Sequence, residues 1–277
     1  MKFAICHELY ENCDWETQCG LIAEAGYTGI EVAPFTIGTD LISLPESAFR
    51  KMQVTAQSHG LQVIGLHWML AKTEGLYLTS PDVAVRRKTA EYLRFLARMC
   101  RQLGGTVMVF GSPAQRNLLP GVSSEEATKY ACEVFNEASA EFADQQVTLC
   151  LEPLTPKETN FMNTCAEAVG IIEQLKHPFI MLHQDVKAML GAEQDSVSNL
   201  IHHFKNFCRH FHVNDSNLLG PGMGETDFHP ILKALRDTQY RGWVSVEVFD
   251  YKPGAQHIAV ESLRYMKRVL EDLDGPR

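Results

Sequence analysis

The sequence predicts an α/β fold, a single (β/α)8 TIM barrel spanning residues 1–277. Three observations predict it. Eight short segments rich in Val, Ile, Phe and Leu recur along the chain, and stretches with apolar residues at helical spacing separate them. No Gly-x-Gly-x-x-Gly follows the first segment, which disfavours an open dinucleotide-binding sheet. Alternating strand and helix call for a parallel sheet with helical crossovers, and eight repeats favour its closure into a barrel.

The expected strands are Phe3–His7, Gly29–Pro34, Gln62–Trp68, Thr106–Ser112, Thr148–Leu154, Phe179–Asp185, Phe207–Asn214 and Trp243–Phe249. Between Pro81 and Leu103, Val85, Ala90, Leu93, Leu96, Ala97 and Cys100 can share one helix face. Ser80 before Pro81, and Ser123 and Ser124 before Glu125 and Glu126, are helix-start signals. Gly26, Gly60 and Gly104 follow helical patterns and precede strands, where a left-handed residue commonly ends a helix. No Pro/Ser/Gly-rich linker marks a domain boundary.

Hydrophobic residues make up 45% of the chain and charged residues 21%, as in ordinary globular proteins. The net charge of −9 argues against a nucleic-acid partner, because phosphate backbones are bound by clustered Lys and Arg. The apolar run before His7 is four residues, too short for a signal-peptide core, and no segment is long enough to cross a bilayer. The eight cysteines show no C-x₂-C spacing. They read as reduced thiols of a cytoplasmic protein that makes no use of a membrane. Homo-oligomeric assembly is left open.

In a barrel of this kind the chemistry sits at the C-terminal ends of the strands. Strand five ends in Glu152, strand six in Asp185, strand seven carries His212, and strand eight runs to Glu247. The separations of 33, 27 and 35 residues are each about one βα unit, so the four groups stand on consecutive strands around one rim. Any one acid at a strand end is ordinarily a loop cap or a surface ion-pair partner. Three carboxylates crowded into one barrel mouth repel one another unless a cation holds them. Glu152, Asp185, His212 and Glu247 are therefore expected to bind one divalent metal. Three oxygens and one imidazole suit Mn²⁺, Mg²⁺ or Co²⁺, and zinc is chemically compatible.

These residues carry a resemblance. The chain resembles the sugar phosphate isomerase/epimerase superfamily with the xylose isomerase-like barrel, and is particularly similar to the D-tagatose 3-epimerase/D-psicose 3-epimerase group. Leu151-Glu-Pro-Leu-Thr-Pro-Lys-Glu-Thr-Asn160 resembles that group's strand-five motif, which implies Glu152 as a ligand and Glu158 as a substrate-side residue. Phe211-His-Val-Asn214 and Val246-Glu-Val-Phe249 resemble its strand-seven and strand-eight ligand motifs, and Gly222-Met-Gly-Glu-Thr-Asp227 its Gly-rich turn. Two positions depart from the group. Ala188 stands where a His follows the strand-six Asp, and Leu218 where an Arg follows the strand-seven His. Both family residues contact the ketose, so the departures bear on the substrate rather than on the metal.

The constellation implies a metal-dependent isomerase or epimerase acting on a small sugar or related keto-polyol. Proton transfer would pass through an enediolate, with Glu152 and Glu247 as the acid/base pair. His67 is a candidate contact to a sugar hydroxyl, Trp68 a cover for the apolar face of the ring, and Lys187 a partner for a substrate oxyanion. Each has a structural alternative in rim packing or a solvated loop. His183 and His210, two residues before their strand-end partners, are expected to face the same way one layer deeper. The Gly220–Gly224 loop reads as a flexible connection. Three rival functions use the same barrel. One is a lyase or dehydratase on a keto-sugar or keto-inositol, and another is a non-catalytic metal- or sugar-binding barrel. The third, a DNA-repair endonuclease, would need further histidines where this chain has Gly111 and Ala188.

Overall fold

The computed structural model describes residues 1–275, and its eight strands follow from runs of apolar residues that hydrogen-bond to their chain neighbours in order. They are β1 (Lys2–Cys6), β2 (Gly29–Val32), β3 (Gln62–Leu66) and β4 (Val107–Phe110). After them come β5 (Thr148–Leu151), β6 (Ile180–Asp185), β7 (Cys208–Val213) and β8 (Trp243–Val246). All pairs are parallel, and β8 returns to β1, with Phe3 opposite Val244 and Ile5 opposite Val246. The sheet is a closed barrel, as the sequence predicts.

The crossovers are helical. They are α1 (Trp15–Glu24), α2 (Glu46–Ser58), α3 (Val83–Gln102), α4 (Ser124–Gln145) and α5 (Cys165–Leu175). The remainder are α6 (Val186–Ala192), α7 (Val197–His203), α8 (His229–Asp237) and α9 (Ala255–Asp274). The α3 start lies slightly later than Pro81, because the Asp82 side chain caps the helix by accepting from the Ala84 N–H. Ser123 caps α4 in a full capping box with Glu126. On α3 the expected face is buried from Ala90 to Cys100, with Val85 half-buried at its edge. Gly26, Gly60 and Gly104 all have positive φ, so a left-handed residue does turn the chain from helix to strand at each place.

Every observed strand after β1 is shorter than its apolar run, and β1 keeps the length but starts one residue earlier. The ladder ends where the backbone stops being a donor or changes hand. Pro153 lacks an N–H just after β5, and Trp68, with φ of 53°, bends the chain away just after β3. The residues expected to be functional therefore lie on or just beyond strand ends.

Strand alternation sorts the side chains. On β2, β7 and β8, Ile30, Val32, Phe211, Val213, Val244 and Val246 belong to the buried apolar core. Glu31, His210, His212 and Ser245 alternate with them, and polar contacts among these four and Cys6 put them inside the barrel. Small residues let the barrel close at its lower layers. A Cβ at Gly65 would overlap the Val107 backbone across the β3–β4 pair. Gly65→Ala is therefore expected to destabilise the fold by about 1–3 kcal/mol, measured by urea unfolding; an unchanged midpoint would show that the barrel can widen there at no cost.

The Gly220–Gly224 loop is packed rather than free. Side chains at Gly220, Gly222 and Gly224 would overlap Ser262, Tyr265 and Asp215 respectively. Among the described residues, no helix is long and apolar enough to cross a membrane. All eight cysteines are free thiols.

Candidate metal centre and substrate cleft

Four residues singled out by the sequence arrive at one end of the barrel. Glu152 is the residue after β5, Asp185 ends β6, His212 lies in β7, and Glu247 is the residue after β8. Ligand-type atoms of Glu152, Asp185, His212 and also His183 all lie within 4.8 Å of one another. Glu247 joins through His212, whose Nδ1 lies 3.2 Å from Glu247 Oε2. As the side chains stand, His183 completes the tight group, and Glu247 leans toward His212 and His67.

Each acid is held by its own local structure. Asp185 caps α6, its Oδ1 accepting from the Ala188 N–H at 2.7 Å, while Oδ2 accepts from Asn214 Nδ2 at 2.6 Å. Glu152 is fixed through its backbone, whose carbonyl accepts from the fully buried Arg116 guanidinium at 2.7 Å. Its carboxylate occupies the space that a side chain at Gly111 would fill. The histidine absent at 111 is thus sterically tied to the placement of Glu152.

Beneath this rim runs a chain of buried pairs in which the acids Glu31 and Glu8 join histidines that the sequence pattern singles out. Glu31 is fully buried inside the barrel, with Oε2 at 2.9 Å from His210 Nε2 and 3.1 Å from His212 Nε2. Glu8, just after β1, brings Oε2 to 2.9 Å from His67 Nε2, and His67 Nδ1 lies 3.1 Å from Glu247 Oε1. A signal for Glu31 was present: it is an acid between Ile30 and Val32 in a run expected to be a buried strand. Arg116 sits in a loop and carried no such signal.

The electrostatics follow from burial and these pairings. Burial pushes the Glu31 carboxyl up, but His210 and His212 outweigh it and hold it well below the usual carboxylate range. Glu247 behaves alike: burial raises it, while His212 and His67 bring it below its ordinary value. Glu152 moves the other way, raised well above the usual range by burial and then by Glu247 and Asp185. Burial disfavours a charged His212, yet Glu31, Cys6 and Glu247 raise it well above an ordinary imidazole. Burial and the two neighbouring histidines keep His183 neutral, and neither of its ring nitrogens has a hydrogen-bond partner.

The donor chemistry fits a divalent cation. Protons on Glu152 and His212 offset carboxylate charge at the point where the ligand atoms converge, a role that a cation takes over when it displaces them. The neutral, unpartnered His183 lies 3.7 Å from Glu152 Oε1 and borders the same point.

Above the acids lies a cleft lined by Trp68, Gly111, Glu152, Glu158, Lys187 and Glu247, with Leu154 and Phe249. About 260 Å³ of space, part of it open to solvent, lies between these side chains, and only about 10 Å³ of it is wide enough for water. Lys187 narrows it, reaching Glu158 Oε1 at 2.7 Å and lying 4.0 Å from the centre of the Phe249 ring. Trp68 meets Phe249 edge to face, with ring centres 6.5 Å apart. Trp68, Lys187 and Glu158 thus lie on the cleft wall. His67 does not; it is buried, hydrogen-bonded to Glu247 through Nδ1, with Nε2 facing the Glu8 carboxylate. The carboxylates that surround it fit a group that orients Glu247 rather than one that meets a sugar hydroxyl.

Glu31→Gln removes the charge that holds His212 and is expected to weaken divalent-cation binding roughly 10–100-fold, in keeping with partners that orient ligand histidines. Calorimetric titration with Mn²⁺ measures it, and unchanged affinity would dismiss Glu31 as an orienting group.

Comparison with known proteins agrees with this geometry. The family model described as xylose isomerase-like TIM barrel matches residues 19–269. A D-psicose 3-epimerase of Agrobacterium fabrum is 27% identical over 260 residues, covering 90% of this chain and 85% of the relative. The 3-dehydro-D-guloside 4-epimerase of Escherichia coli is 32% identical over 99 residues, 35% of this chain and 37% of that protein. A crystal structure of D-psicose 3-epimerase in the presence of D-fructose superposes with a TM-score of 0.84 at 22% identity, covering 98% of this chain and 99% of that one. The chain belongs to the xylose isomerase-like TIM-barrel family.

Proposed function

We propose that this protein is a divalent-metal-dependent sugar epimerase or isomerase in which Glu152, Asp185, His212 and Glu247 hold the metal and Glu152 and Glu247 exchange the substrate proton. The observation that carries this reading is the pair of carboxylates on β5 and β8 that line one cleft directly above a convergent ligand set. The relatives support it: they are epimerases of sugars, one at carbon 3 of psicose and one at carbon 4 of a keto-guloside.

A bound divalent ion supplies a Lewis acid that neutralises charge developing on adjacent carbonyl and hydroxyl oxygens. Mn²⁺, Mg²⁺ and Co²⁺ suit the oxygen-rich set. The chain's own residues do the rest. One of Glu152 and Glu247 takes the proton from the carbon beside the carbonyl, and the other delivers a proton to the opposite face, which inverts that carbon. Arg116 fixes the backbone from which Glu152 projects, and His67 and His212 orient Glu247. Trp68 and Phe249 offer apolar surface to a sugar ring and keep water from the exchanging proton. Glu158 and Lys187 present an acceptor and a donor to hydroxyls at the entrance.

In D₂O, Glu152→Gln and Glu247→Gln should each slow solvent deuterium uptake into a ketose substrate by about 10²–10⁴-fold, the usual worth of a positioned acid or base. NMR of a ketose panel reads the exchange, and uptake that persists at the wild-type rate removes that residue from the role. Mn²⁺ at about one hundred times its dissociation constant should raise the melting temperature by about 5 °C, from roughly 2.7 kcal/mol of linkage spread over the unfolding entropy of a chain this long. Because Glu152 and His212 hold protons at raised pKa and must shed them to bind, the affinity should increase from pH 6 to pH 8. Asp185→Asn should abolish the shift; a shift of equal size in that variant would place the metal elsewhere.

A further inference from the structure

Past Lys187 the cleft opens into a second space. The two share Glu158, Lys187 and Phe249, so they are continuous. The outer groove is far roomier: about 440 Å³ of it is wide enough for water-sized groups, against about 10 Å³ in the cleft. Its floor and walls come from α6 and from the loop after β7, chiefly Leu190, Gly191, Ser216 and Leu218, with Thr155 opposite.

We infer that the substrate is a keto-sugar bearing a glycosidic substituent, its sugar ring entering the cleft as the Lys187 side chain swings aside and its substituent in this groove. The inference rests on the functional reading above and names the substrate class for the same site.

Three features support it. Leu190 and Leu218 are large apolar side chains left 47% and 43% exposed, and both face the groove rather than scattered surface. Apolar surface gathered beside a polar cleft is the usual lining of a small-molecule subsite. Leu218 also holds a left-handed backbone, φ 71°, which costs energy for a residue with a branched side chain. Three hydrogen bonds enforce it: its N–H donates to Asp215 O at 3.0 Å, and its carbonyl accepts from Phe249 and Asp250 at 2.9 and 3.1 Å. The same turn thereby sets the groove wall and the Phe249 position on the cleft. Finally, Gly191 keeps α6 close against Thr155, since a Cβ there would overlap the threonine side chain.

The chemistry of the lining selects an uncharged group. Lys187 is already matched by Glu158 at 2.7 Å, which leaves the exposed Lys157 as a single lining cation, short of the clustered positive charge that a phosphate takes. Leucine walls with Ser216, Thr155 and Lys157 near them suit a second sugar ring or an aryl or alkyl aglycone, which shows apolar faces and polar edges. A free ketose would leave the two leucines against water.

The test compares 3-keto-D-glucose with its 4-nitrophenyl glycoside, using metal-loaded protein in D₂O with NMR detection of exchange. The glycoside should be preferred at least about tenfold in kcat/KM, the scale of one well-buried apolar contact. Leu190→Trp, which fills the groove, should raise KM for the glycoside about tenfold and leave the free sugar unchanged; Leu190→Ala, which removes an apolar wall, should reduce the preference for the glycoside and likewise leave the free sugar unchanged. Equal rates for both sugars, or a Leu190→Trp defect shared by both, would overturn the inference. If neither sugar exchanges, the functional reading fails by itself. The groove is then decided by calorimetry with unreactive 4-nitrophenyl β-D-glucoside: binding that Leu190→Trp abolishes supports it, and no binding overturns it. A dimer in light scattering that Leu190→Glu dissociates would assign the leucines to a second copy and likewise overturn it.

Discussion

The upper half of this barrel depends on one electrostatic arrangement, the buried Glu31 carboxylate shared between His210 and His212. A carboxylate inside a closed sheet has no water to solvate it and would take up a proton if it stood alone. Two imidazoles at 2.9 and 3.1 Å keep it ionised, and it in turn keeps His212 oriented. His212 then meets Glu247, Glu247 meets His67, and His67 meets Glu8. His212, Glu247 and His67 each face opposite charge on both sides, and Glu31 faces it at His212. Removing one leaves a neighbour buried and unmatched, which costs more than the pair's own attraction. Glu247 inherits its position from this interior and not from a solvent-facing loop.

Glu152 stands apart from that series, and its environment differs accordingly. It faces Glu247 and Asp185, and its histidine neighbour His183 stays neutral. Glu247, beside charged partners, is ionised, whereas Glu152 favours a proton. Two carboxylates pushed in opposite directions by their surroundings are the condition under which one donates while the other accepts. The asymmetry comes from which strand each leaves: β8 delivers its acid beside β7 and His212, and β5 delivers its acid across Gly111 and over Arg116.

Much of this was legible in the chain. The order of eight apolar runs gives the barrel, and an acid or imidazole at the end of runs five to eight gives the rim, because both are properties of local pattern. The strand ends were less legible. Hydrophobicity continues through Pro153-Leu154 and Val248-Phe249, while the ladder stops when donors are lost or the backbone turns to other acceptors, as Phe249 does in bonding to Leu218. Glu31 left a trace as an acid in a buried run, but nothing local says that two histidines 179 and 181 residues away meet it. Arg116 left none. Its three backbone carbonyl partners belong to Phe110, Glu152 and Met162, and only the folded chain brings them around one guanidinium.

Ala188 and Leu218 separate two kinds of constraint. The proposed metal and proton-transfer groups leave strands whose positions are fixed by the ladder and by buried ion pairs, so little at these positions can change without loss of the whole set. Ala188 and Leu218 lie one segment further out, on the first turn of α6 and on the loop after β7. Ala188 still contributes its N–H to Asp185 whatever its side chain, so a histidine there could be lost without disturbing that carboxylate. Leu218 holds Phe249 and Asp250 through its carbonyl, again independently of its side chain. At both places the backbone serves the centre and the side chain is free to serve the substrate. That division leaves the proposed metal and proton-transfer groups in place whatever side chains stand at positions 188 and 218.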